Sequence, residues 1–131
     1  MFAIGDIVSI YSPIAGYPKY HLCILVGTEG AASQFIFLNS DSKFAGVFET
    51  PCERVPCIPK SDTGVTAFSF TLIPRYNDGQ LQKFNAKKLG TIDVDLAKEI
   101  QVFISDKSNL RALSRSEAKV VIAAFKVICG E

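Results

Sequence analysis

The chain has 131 residues, 48% hydrophobic and 21% charged, with ten phenylalanines, no tryptophan and a formal net charge of +1. That length supports one core burying roughly two-thirds of the unfolded surface, and that charge excludes a protein that coats nucleic acid by bulk electrostatics. A local basic groove remains compatible with it.

Met1 to Asp6 has no basic region, and Gly5 and Asp6 interrupt it before any apolar run, so no signal peptide is expected. No segment approaches the roughly 20 apolar residues that span a bilayer. The expected address is cytoplasmic, without membrane contact, and there the four cysteines are expected as thiols.

Asp6 to Tyr11 predicts a first strand, and Ser12 to Tyr17, with Pro13 and Gly16, a loop. Leu22 to Gly27 is continuously apolar, which predicts a central strand buried on both faces. After a turn at Thr28-Glu29-Gly30, Gln34 to Leu38 returns as the second arm of a hairpin. Phe44 to Phe48 predicts a short strand. Pro51, Pro56 and Pro59 confine any strand between Thr50 and Pro59 to a broken or edge position. Ser61 to Gly64 is a turn.

Val65 to Ile73 alternates Ala67, Ser69 and Thr71 with Phe68, Phe70 and Leu72, predicting a strand with one face in the core. Pro74 to Asn85 reads as an exposed connection. From Asp93 the period turns helical through Leu96, Ile100, Phe103 and Ile104, with Thr91 or Asp93 as cap. A second helix starts at Ser114, where Glu117 completes a capping box and Leu113 is placed for a hydrophobic staple. Val120, Val121, Ala124, Phe125 and Ile128 form its apolar stripe. Strands first and helices last predict a mainly-β α+β fold. It would be a single domain over 1–131, with a small curved antiparallel sheet over about 1–90 and helices over about 91–131.

Chemistry concentrates at one end of the predicted hairpin. Lys19, Tyr20 and the only histidine, His21, precede one arm; Asn39-Ser40-Asp41-Ser42-Lys43 follow the other. Antiparallel pairing brings the start of one arm beside the end of the next. Histidine, with a free pKa of about 6.5, takes and gives protons at neutral pH, while lysines and hydroxyls hold phosphate. Taken alone, the first segment is a strand start and the second a good turn. A basic tract of Arg75, Lys83, Lys87 and Lys88, interleaved with Tyr76 and Phe84, is either a solvated surface or a nucleic-acid face. Cys23 reads as a core residue. Cys52 and Cys57 lack both the spacing and the second pair of a zinc site, so neither metal nor cofactor is expected.

Ile4-Gly5-Asp6-Ile7-Val8, Pro18-Lys19-Tyr20-His21, the strand Leu22 to Val26 and Lys88-Leu89-Gly90-Thr91-Ile92 before a helix together resemble the MazF/PemK family of toxins. The hairpin, with Ser40, Ser42 and Lys43 after its second arm, is similar to the ToxN branch. The resemblance implies an SH3-like barrel with appended helices. It also implies a metal-independent endoribonuclease in which an RNA 2′-hydroxyl attacks its own phosphate. The implied partners are RNA, a cognate antitoxin and a second copy in a homodimer. His21 would then act as general acid or base, with Lys19 and Lys43 stabilising the phosphorane. Ser40 and Ser42 would position the phosphate, while Tyr20, Arg75 and Tyr76 bind RNA. Relatives carry Arg-Pro where this chain has Lys19-Tyr20-His21, so a non-catalytic module binding protein or nucleic acid is the alternative.

Overall fold

The computed structural model describes residues 2–39 and 46–131, with only the backbone described at Asn39. Strand β1 (Asp6–Ser12) pairs antiparallel with β2 (Tyr17–Leu25), and β2 with β3 (Ser33–Asn39). β2 begins at Tyr17, ahead of the apolar run, because its ladder to β1 continues through Lys19, Pro18 and Tyr17. Backbone pairing holds these polar residues extended, which side-chain polarity alone does not reveal.

β4 (Val47–Pro51) leads through one tight helical turn at Cys52–Arg54 towards β5 (Val65–Ser69), and β5 pairs with both β4 and β3. The short strand predicted over Phe44 to Phe48 is thus shifted; of it, Phe44 and Ala45 lie outside the described residues. β6 (Arg75–Tyr76) pairs with the start of β3, and β7 (Lys87–Thr91) with β1. The sheet runs β4-β5-β3-β2-β1-β7, antiparallel at every pairing, with β6 off this path.

The α+β class is therefore the one the sequence predicts. The barrel closure is not: β4 and β7 are free ends of the sheet path and do not pair with each other among the described residues. Pro51 in one edge strand and Lys87 and Lys88 in the other are residues that resist further strand addition.

Alternation along the strands divides the buried side chains between two faces. Leu22, Ile24, Ile36, Leu38 and Phe68 form the larger core with α2 (Val94–Ser105) and α3 (Arg115–Ile128), through Leu96, Ile100, Val121 and Phe125. Val8, Ile10, Cys23 and Phe35 form a smaller core with Leu81 of α1 (Asp78–Lys83), flanked by Phe2, Tyr76, Phe84 and Ala86. This second cover corrects the reading of 74–85 as an exposed connection. Leu81 is buried, and Asn77 caps α1 by accepting the Gln80 backbone N–H while the Gln80 side chain accepts the Asn77 N–H. One apolar residue in a six-residue helix produces no period to read.

β5 also departs from expectation. It ends at Ser69, both its rows are buried, and Leu72 is 61% exposed instead of lying in the core. The two helices follow their predicted caps. Asp93 accepts the Leu96 N–H at 3.1 Å, while Thr91 remains in β7. Ser114 and Glu117 form the reciprocal capping box. No helix among the described residues is long and apolar enough to cross a membrane.

Candidate functional site

The β2–β3 register places Tyr20 across from Leu38 and His21 across from Phe37, so the start of β2 lies beside the end of β3. Alternation then separates neighbours: Lys19 and His21 share one face, and Tyr20 lies on the other. Tyr20 packs against the larger core. His21 lies between Val8 of β1 and Phe37 of β3 on the face that α1 covers.

His21 is not at a strand start: it lies midway along β2. It is 1% exposed. Its ring centroid lies 4.8 Å from that of Phe37, 5.8 Å from Phe35 and 5.9 Å from Tyr76. Nδ1 is 3.2 Å from the Lys19 carbonyl oxygen. A carbonyl only accepts, so in the neutral ring Nδ1 carries the proton and Nε2 presents its lone pair. Nε2 is buried and has no hydrogen-bond partner among the described residues.

Loss of hydration pushes the His21 pKa down to about 4. The Lys19 carbonyl opposes this, the Lys19 ammonium adds to it, and the nearby Val8 carbonyl opposes it more weakly. At neutral pH the ring is therefore uncharged. In that form the lone pair of Nε2 can accept a proton, the general-base half of the expected role.

A pocket of about 260 Å³ opens at this point, lined by Ser12, Ile14, Lys19, His21, Phe37 and Tyr76 among others. The Lys19 ammonium stands 5.7 Å from the Phe37 ring centroid, which places a cation on the wall of the same pocket. Burial raises the Tyr76 pKa, so its phenol stays an O–H donor. Two predicted site residues, Lys19 and Tyr76, thus meet His21 here.

Others do not. Tyr20 lies on the opposite face. Arg75, next to Tyr76, sends its guanidinium to Glu117 of α3 at 3.4 Å. Lys88 pairs with the buried Asp6 at 3.2 Å, and Lys83 lies over Phe84, itself packed into the smaller core. Three of the tract's four cations and both of its rings thus have contacts within the protein, while Lys87 is exposed. Ser40, Ser42 and Lys43 lie outside the described residues.

Sequence reasoning missed Ser12, Ile14 and Phe37. Phe37 was legible in principle, because a hairpin register that pairs it with His21 follows from matching the apolar rows of the two arms. Ser12 and Ile14 enter only through the path of the loop between β1 and β2. Cys23 is fully buried, and that burial pushes its thiol pKa up to about 11, so it is inert as a nucleophile. Among the described residues no three His, Cys, Asp or Glu side chains cluster closely enough to hold a metal ion. Neither protein-family models nor curated proteins yield a match to this chain.

Proposed function

We propose that this chain is a metal-independent endoribonuclease of the MazF/PemK kind, cleaving single-stranded RNA in the His21 pocket. One observation carries the reading. A buried, neutral histidine directs no hydrogen bond from Nε2 to the described protein, and it shares its pocket with a lysine ammonium. An unpaired buried acceptor of this sort is costly unless something occupies it.

A ribose 2′-hydroxyl is such an occupant. In the proposed reaction Nε2 takes the 2′-hydroxyl proton as the oxygen attacks phosphorus. The bond from phosphorus to the 5′-oxygen breaks, leaving a 2′,3′-cyclic phosphate. Lys19 offsets the charge on the phosphorane, and the Tyr76 phenol supplies the proton for the departing 5′-oxygen. The setting proposed with it is the cytoplasm, with an antitoxin as the regulating partner and a homodimer as the assembly.

A specific observation favours a second reading. A base held near pKa 4 is a weak proton acceptor, and the family's arginine is replaced here. The same pocket would then bind RNA or a protein segment without cutting it.

Purified protein, EDTA and a mixed-sequence RNA separate the two. The ribonuclease reading expects 2′,3′-cyclic phosphate and 5′-hydroxyl ends, with cleavage falling by about 100-fold or more in His21→Gln. Intact RNA that nonetheless binds the protein establishes the second reading. Cleavage unchanged in both His21→Gln and Lys19→Ala removes the pocket from either.

A further inference from the structure

Lys19 borders a second, larger cavity at the start of β2. It measures about 400 Å³, and its lining includes Tyr17, Tyr20, Lys60, Ser61 and Thr66. Leu38, Ile58 and Val65 supply apolar wall. Tyr20 and Leu38 belong to the larger-core face of the sheet, while Tyr17 and Lys19 alternate to the other, so the cavity is lined from both sides of the start of β2.

Its composition suits one class of ligand. Two tyrosine side chains offer flat, amphipathic surfaces against which a planar ring can lie. Thr66 is buried, and Thr50 stands directly across from it in the β4–β5 ladder, also buried, with a hydroxyl that has no hydrogen-bond partner among the described residues. Paired residues in an antiparallel ladder share a face, so Thr50 and Thr66 lie on the same side of the sheet, and of the two Thr66 lines the cavity. Lys60 is exposed and brings a cation to the rim. Aromatic faces, a small polar floor and a basic rim together match a nucleobase carrying a phosphate.

We propose that this cavity is a nucleotide subsite, holding a base against Tyr17 and Tyr20 with Thr66 at its edge and Lys60 near its phosphate. The proposal rests on the ribonuclease reading for its purpose, because Lys19 borders both cavities and links a base bound here to a phosphate at the His21 pocket. Its chemistry is independent of cleavage. A mononucleotide is too short to be a substrate for chain scission and can still fill the cavity.

The test is an NMR titration of the full chain with adenosine and uridine monophosphates, with inorganic phosphate as a separate arm. The expected result is saturable movement of the Tyr20 and Thr66 amide signals with at least one nucleotide and none with phosphate. Tyr17→Ala and Lys60→Ala, both at exposed positions, weaken that binding by about tenfold each. Unmoved Tyr20 and Thr66 signals at millimolar nucleotide overturn the subsite, as does equal movement with phosphate alone or full affinity in both variants. Nucleotide binding here with RNA left intact supports the subsite and refutes the ribonuclease reading. RNA cleavage without any nucleotide response does the reverse.

Discussion

His21 stands directly across from Phe37 in the β2–β3 ladder, with 4.8 Å between ring centroids. That pairing, more than the identity of the histidine, sets its chemistry. Phe35, Phe37 and Tyr76 surround the imidazole and withdraw water from it. The imidazolium is the form that suffers, so the folded protein holds the ring neutral.

Stability should therefore fall in mild acid. The unfolded chain binds a proton at His21 below about pH 6.5, and the folded chain only below about 4. The contribution is fully present above about 6.5, is lost as pH falls towards about 4, and amounts to roughly 3 kcal/mol at most. Urea unfolding across that window should show the loss in the natural chain and a flatter response in His21→Phe. Equal slopes in both would contradict a buried neutral ring.

The same pKa constrains any cleavage that uses Nε2 as base. The rate with limiting RNA should rise through about pH 4 and stay level through neutrality, without an acid limb near 6.5. A limb near 6.5 would show that water reaches the ring in solution.

The link between Arg75 and α3 should matter less than the cap beside it. Ser114→Ala removes the oxygen that accepts the Glu117 N–H and should cost about 1 kcal/mol. Arg75→Ala breaks an ion pair at 3.4 Å whose arginine is half exposed, and should cost under about 0.5 kcal/mol. Thermal melts of the two variants should rank in that order; the reverse ranking would make Arg75 a structural anchor.

Gly27 should be the least replaceable glycine of the β2–β3 hairpin. A Cβ there would stand 2.1 Å from the Ala31 carbonyl oxygen, in a loop where the Gly27 N–H donates to Ser33 Oγ at 2.9 Å. Gly27→Ala should cost about 3 kcal/mol or more, since the blocking atom is backbone. Gly16→Ala meets no atom within 4 Å and carries only the strain of a φ of +80°, about 1 kcal/mol. Denaturation midpoints that fail to separate the two would show that the 27–32 loop yields easily.

Much of this architecture was readable from local rules. Asp93 and Ser114 cap their helices because short acceptor side chains precede helical apolar periods, and Leu22 to Ile24 are buried because nothing polar interrupts them. α1 was not readable, since Leu81 alone marks its buried side. Of the site, Lys19 and His21 were legible as neighbours beside the hairpin arm; that they share a face, with Tyr20 on the other, follows from β2 beginning at Tyr17, and Tyr76 was chosen from the sequence for a different neighbourhood. Its place beside His21 depends on β6 pairing with the far end of β3.

By itself the sequence determined strands β1 to β3, the two long helices, the α+β class and the meeting of the start of β2 with the end of β3, all consequences of period and short-range pairing. Only the tertiary structure decided that the sheet stays open and that Arg75 turns to Glu117. It also decided that His21 lies inside an aromatic wall. Those outcomes depend on which surfaces distant segments cover, and burial by a remote segment leaves no mark in the residues it buries.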